Sequence, residues 1–295
     1  MEKPLALGVD IGGSHITAAL IDLETRSLIT NSIKRSAVNS QEGKEVILKA
    51  WVEIINDAFD GVTKDSRFVG IAMPGPFDYE NGISLIKDQD KFKSLYQINV
   101  KNELAARLDI PADHIHFIND AAGFLQGEVF AGAAKGNANV LGLTLGTGLG
   151  SSICINQKAT DADLWNSSFL DGIAEDYLAT RWFVKRYKHL SGTNLDGVKE
   201  LVEAVKTDHL ATQVFMEFGY NLAQFLIPII NKNKIDTVIV GGNIAQAFNE
   251  FSPELIATLK GNGIYAAIKI SELKEHAALI GAASCCDEKF NSISS

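Results

Sequence analysis

Twice in this chain an apolar run stops at a glycine turn and a second apolar run follows at once. Leu5-Ala6-Leu7-Gly8-Val9-Asp10 meets Gly12-Gly13, and Ile16-Thr17-Ala18-Ala19-Leu20-Ile21 resumes beyond it. Residues 140–145 and 150–155 flank Gly146-Thr147-Gly148 in the same way. Two strands on either side of so tight a turn make a hairpin, whereas a Rossmann unit needs a helix at that place. Each hairpin then leads an α/β stretch. Residues 27–34 read as a third strand, and residues 42–59 as a helix, because Val46, Ile47, Ala50, Trp51, Ile54, Ile55 and Ala58 fall on one helical face. Residues 67–73 form a buried strand halted by Pro74-Gly75-Pro76, residues 100–108 a helix, and residues 114–118 a strand entering Asn119-Asp120. Helical spacing resumes through Phe124, Leu125 and Val129. Residues 172–231 read as mostly helical, residues 237–240 as a strand entering Gly241-Gly242-Asn243, and residues 276–285 as a last helix. The expectation is an α/β chain of two lobes around a central cleft, residues 1–119 and 120–295. Each lobe offers a glycine turn to one polyphosphate, and the last helix packs back on the first lobe.

Composition narrows the classes of partner. At 295 residues the chain exceeds one typical domain, and 46% hydrophobic with 21% charged residues suits a globular protein with a sizeable core. A formal net charge of −9 argues against a protein that tracks the phosphate backbone of nucleic acid. A small anionic ligand remains compatible, since backbone amides and one metal ion can hold it locally. No apolar run reaches the roughly 18 residues a spanning helix needs. The three cysteines are Cys154, Cys285 and Cys286, the last two adjacent and badly placed for an ordinary disulfide. With Met1-Glu2-Lys3-Pro4 running straight into a strand and no secretory leader, a cytoplasmic protein is expected.

Five segments carry chemistry. In Asp10-Ile11-Gly12-Gly13-Ser14-His15 the glycines let backbone N–H groups approach phosphate oxygens, and Asp10 at the strand end can order the waters of a magnesium ion. The same residues also compose a plain turn. Leu145-Gly146-Thr147-Gly148-Leu149-Gly150 is a second amide nest with one hydroxyl, and it lacks the lysine of a Walker A loop. Asn119-Asp120 opens a helix, so one of the pair caps it. A carboxylate held there can also take a hydroxyl proton during phosphoryl transfer. Pro74-Gly75-Pro76 suits the wall of a small-molecule site or a loop after a strand, and Gly241-Gly242-Asn243 suits a nucleoside or a tight turn. The six histidines show no metal spacing, and His114 and His116 on one strand face read as structural. Trp165, Trp182 and Phe183 read as core or dimer packing, with an aromatic sugar platform as the alternative.

Taken in order, these segments resemble the ROK family of sugar kinases and related repressors, on the actin-like ribonuclease H fold. Asp10-Ile11-Gly12-Gly13-Ser14-His15 resembles the family's Asp-x-Gly-Gly-Thr-Lys turn, and Met73-Pro74-Gly75-Pro76 its Pro-Gly-Pro segment. Asn119-Asp120-Ala121-Ala122, continuing to Gly127-Glu128, resembles the segment of the catalytic base, and residues 144–150 the second phosphate turn. Weaker matches are Val240-Gly241-Gly242-Asn243 and Ala277-Ala278-Leu279-Ile280-Gly281-Ala282-Ala283. The resemblance implies Asp120 as general base, with Asn119 and Gly75 on the sugar. It implies Asp10, Gly12, Gly13, Ser14, His15, Gly146, Thr147 and Gly148 around ATP phosphates and magnesium, Asp10 through water. Gly241, Gly242 and Asn243 then lie near the adenosine, and the protein forms a homodimer.

The departures bear on the substrate. Where the family has Glu-x-Gly-His and a three-cysteine zinc cluster, this chain has Asp163-Leu164-Trp165-Asn166, with no cysteine between residues 156 and 280. A structural zinc site needs about four N or S ligands, so no zinc is expected. Asp163 and Asn166 align as sugar ligands or as surface loop residues. Glu175 matches the family's later sugar-binding glutamate, and His15 replaces the lysine of the first turn. Alternatives are a sugar-binding or sensor protein with impaired catalysis, a kinase of hexosamine or fructose rather than glucose, another actin-like ATPase, and a regulator. Only seven residues precede Gly8, short of the helix-turn-helix the regulators carry there.

Overall fold

The computed structural model describes residues 4–287, which divide into two compact units. One comprises the chain up to Lys135 together with Asn156–Thr160 and the segment from Glu275 onward; the other comprises Gly136–Ile155 and Asp161–Lys274.

In the first unit β1 (Leu5–Ile11) and β2 (His15–Asp22) form the expected antiparallel hairpin, with Ile11 opposite Ile16. β3 (Ser27–Leu28) and β4 (Lys34–Ala37) both pair with β2. The single strand expected over residues 27–34 is interrupted because the Ser32 hydroxyl takes the Leu20 N–H at 2.8 Å and donates to the Ile29 carbonyl at 2.7 Å, bending the chain into a 3-10 turn. α1 (Lys44–Ala58) turns Ile47, Leu48, Trp51, Ile55 and Ala58 inward. β5 (Val69–Met73) runs parallel to β1. β6 (Phe77–Asp78) and β7 (Ile83–Ser84) make a small hairpin, and α2 (Val100–Leu108) is capped by the Asn99 side chain. β8 (Ile115–Asn119) runs parallel to β5 and passes directly into α3 (Asp120–Phe130). The sheet order β3-β2-β1-β5-β8 puts β1 inside, which is why its run is apolar rather than alternating.

The expected boundary after residue 119 falls at the β8–α3 junction, inside this unit. Glycine packing accounts for it. α9 (Ala277–Ser284) returns to lie against α3, so closely that a Cβ on Gly281 would stand 1.9 Å from the Gly123 carbonyl oxygen and one on Gly127 2.1 Å from that of Ala277. His114 closes a 3-10 turn ahead of β8 rather than lying in it, with its ring stacked on Phe68 at 4.0 Å; His116 is half-buried within the strand.

In the second unit β9 (Asn139–Leu145) and β10 (Leu149–Ile155) form the other expected hairpin. β11 (Lys158–Asp161) spans the change from one unit to the other. β12 (Ser168–Phe169) and β13 (Gly172–Ile173) pair with each other, then come α4 (Ala174–Leu178), α5 (Thr180–Ser191), α6 (Val198–Ala204) and α7 (His209–Asn233). β14 (Thr237–Gly241) lies parallel to β9 and to β15 (Ala267–Ile270), with α8 (Phe248–Gly261) between β14 and β15 in sequence. Trp182, Phe183, Phe215, Phe218 and Phe251 form one aromatic core, with Phe183 and Phe218 centroids 4.4 Å apart. Trp165 is not part of it and stays 43% exposed. Among the described residues no helix is long and apolar enough to cross a membrane.

Candidate functional site

The first unit gathers its chemistry at one sheet edge. Because β1, β5 and β8 are parallel, their carboxyl ends emerge together, with Asp10 level with Ala72, Ala72 with Ile118, and Met73 with Asn119. That edge is where open α/β sheets place ligands. Asp10, Pro74-Gly75-Pro76 and Asn119-Asp120 all leave the sheet there. Burial pushes the Asp10 carboxyl up from its ordinary 3.8 to about 6; the Asp120 carboxylate pushes in the same direction, and Arg35 on β4 pulls partway back. Asp120 itself is exposed at the first turn of α3.

Of the Asn119-Asp120 pair, Asn119 is the cap. Its Oδ1 accepts from the N–H groups of Ala121 and Ala122 at 2.9 and 3.1 Å, and its amide donates to the Tyr79 hydroxyl at 3.2 Å. Tyr79 in turn donates to the Met73 carbonyl at 3.1 Å, and the Gly75 carbonyl accepts from Gln89 at 2.9 Å. Tyr79 and Gln89 were not singled out by motif; both come from loops, where only contact reveals a role. At the first glycine turn Gly12 N–H donates to the His15 carbonyl at 2.9 Å, while Ser14 Oγ and His15 Nδ1 lie 2.9 Å apart.

The second unit brings together the other set. Gly146 N–H donates to the Gly148 carbonyl at 3.0 Å, closing the hairpin tip that exposes Thr147. The Gly146 carbonyl accepts from both the N–H and the hydroxyl of Thr180, at 2.8 and 2.9 Å. Glu175 faces the same tip: its Oε2 accepts from Leu149 N–H at 3.0 Å, and its Oε1 pairs with Arg181 at 3.0 Å. Gly148 is bare where a Cβ would stand 2.6 Å from Glu175 Oε2. Gly241 pairs with Thr144 across the sheet, and Gly242, at φ +82, leaves no room for a Cβ, which would stand 2.3 Å from the Leu145 carbonyl oxygen. The Gly241-Gly242-Asn243 turn is therefore built onto the second glycine hairpin. Thr180 and Arg181 at the start of α5 carry no motif, so sequence reading missed them.

Asp163 and Asn166 are exposed on the loop between β11 and β12. Their loop reaches Glu175 through its backbone, the Trp165 carbonyl accepting from Glu175 N–H at 3.0 Å. It is held by hydrogen bonds: Leu164 N–H to Ser151 Oγ at 2.9 Å and Ser167 Oγ to the Leu164 carbonyl at 2.6 Å.

Magnesium takes one or two carboxylates beside substrate phosphates. Asp10 supplies one, and the repulsion Asp120 exerts on it is a strain that a divalent cation near Asp10 relieves, so this site fits the ion. Among the described residues no group of three or more His, Cys, Asp or Glu side chains is arranged to hold a metal alone.

Known proteins resemble this chain in sequence and fold. The ROK family model matches residues 6–162 and 171–289, and the interruption coincides with the loop of Asp163, Trp165 and Asn166. A glucokinase from Thermotoga maritima is 26% identical over 98% of this chain and 99% of its own length. An N-acetyl-D-glucosamine kinase from Citrobacter koseri is 30% identical over 81% of this chain and 84% of its own. The crystal structure of a ROK family glucokinase from Streptomyces griseus in complex with glucose and AMPPNP superposes with a TM-score of 0.72 at 24% identity, covering 95% of this chain and 98% of that one. The fold is thus the actin-like α/β fold, and the chain belongs to the ROK family.

Proposed function

We propose that this protein is an ATP-dependent sugar kinase that phosphorylates a hexose hydroxyl, with Asp120 as general base. The observation that carries the reading is an exposed Asp120 carboxylate on a rigid helix start, beside a half-buried Asp10 at the same strand-end edge. Asp120 orients the sugar hydroxyl and accepts its proton as the oxygen attacks the γ-phosphorus. A new O–P bond forms, the bond to the β–γ bridging oxygen breaks, and ADP leaves. Asn119 meets the sugar as a donor, because its Oδ1 is committed to the cap and one amide hydrogen to Tyr79. Gly75 lines the sugar side, and Glu175, already bound to the second turn, adds an acceptor. Residues 12–15 and 146–148 take phosphates, and Gly241, Gly242 and Asn243 the nucleoside. Magnesium, held through water by Asp10, neutralises phosphate charge when bound.

The relatives named as glucokinase and N-acetyl-D-glucosamine kinase define the first substrates to try. ADP release measured over glucose, mannose, N-acetylglucosamine, N-acetylmannosamine and fructose identifies the sugar. Asp120→Asn is expected to keep sugar binding while turnover drops roughly 10²–10⁴-fold. Near-full turnover in that variant would remove Asp120 from the role. Sugar binding by the unaltered chain without any ADP release would favour the sensor reading.

A further inference from the structure

Phosphates at the first glycine turn need countercharge, and the turn's own side chains supply little. Ser14 and His15 are bound to each other, and the nearby Asp10 and Asp120 are both acidic. Arg35 offsets part of that charge at Asp10. Lys91 approaches from a different loop. Its Cδ lies 3.7 Å from where a Cβ on Gly13 would stand, which places the lysine stem beside the turn.

The loop that carries Lys91 is anchored on both sides. Phe92 is buried against Trp51, with ring centroids 5.5 Å apart, and its N–H donates to the Ser40 carbonyl at 2.8 Å. Gln41 donates to the Asp90 carbonyl, and Gln89 holds the Gly75 carbonyl at 2.9 Å. Asp90, the adjacent acid, is paired with Lys93 at 3.4 Å. Among the described residues no hydrogen bond or ion pair engages the half-buried Lys91. An unpaired ammonium on a stem beside a turn of backbone amides suits a phosphate oxygen.

We propose that Lys91 is a phosphate-binding residue at the first glycine turn, supplying the cation for the terminal phosphates of the nucleotide. This rests on the phosphotransfer reading above. Calorimetric titration with AMP-PNP and magnesium tests it in the full chain, comparing wild type, Lys91→Met and Lys91→Arg over a range of salt. Lys91→Met is expected to bind about tenfold or more weakly and with a flatter salt dependence. Lys91→Arg recovers most of the affinity, and the melting temperature stays unchanged because no hydrogen bond or ion pair among the described residues engages Lys91. Wild-type affinity and salt dependence in Lys91→Met would overturn the proposal, as would lost affinity that Lys91→Arg leaves unrestored while the melting temperature falls. Absence of AMP-PNP binding by the wild type would instead overturn the phosphotransfer reading itself.

Discussion

Asp10 sits where its charge is unwelcome, partly desolvated and beside a second carboxylate, and this has a consequence for folding. Its carboxyl titrates near 6 in the folded chain and near 3.8 when unfolded, so the ionised form costs stability above about pH 6 and that cost vanishes below about pH 4. Asp10→Asn is therefore expected to melt higher than wild type at pH 7–8 without divalent cations, and the two to converge at pH 4. Calorimetry across that range checks the sign; a variant that melts lower at pH 8 would contradict it. Asn119 caps α3, and in the proposed site it also donates to the sugar, two jobs that substitution can separate. Asn119→Asp keeps an oxygen for the Ala121 and Ala122 N–H groups but loses the amide donor, so stability holds while the KM for sugar rises. Asn119→Ala loses the cap as well and should cost about 1 kcal/mol in denaturant unfolding.

Between elements, the first unit is assembled by glycines pressed against carbonyls. A Cβ on Gly70 of β5 would stand 1.8 Å from the Ala282 carbonyl oxygen of α9, and one on Gly8 of β1 2.0 Å from that of Leu279. Backbone cannot yield there as a flexible side chain would. Gly70→Ala is expected to destabilise by about 1–3 kcal/mol or more. Gly261→Ala, at the end of α8 with nothing within 4 Å, should be neutral or slightly stabilising. Equal denaturation midpoints for the two would refute the close-packing account. This kind of contact also limits what a sequence displays. The hairpins, α1, α2, β5 and β8 were legible because apolar periodicity and turn residues are local signals. α8 was not, since Pro253 interrupts its Phe251, Leu255 and Leu259 spacing.

Across the whole molecule, the first unit depends on a segment from the far end of the chain. Ending the chain after Lys274 removes α9, and hydrogen exchange should then show lost protection in β1, β5 and α3 while α7 and α8 keep theirs. Protection of α3 and β5 unchanged from the full chain would show that α9 is dispensable. The sequence by itself determined the two glycine hairpins, much of the order of strands and helices, and the residue types suited to phosphate and sugar chemistry. Those follow from propensities and periods within a few residues of each other. Only the tertiary structure decided that α3 packs with the first unit, that Glu175 and Arg181 brace the second turn, and that Tyr79, Gln89 and Lys91 enter the first site from loops. Those choices depend on which distant groups meet at van der Waals and hydrogen-bond distance, and no local pattern in the chain records such a meeting.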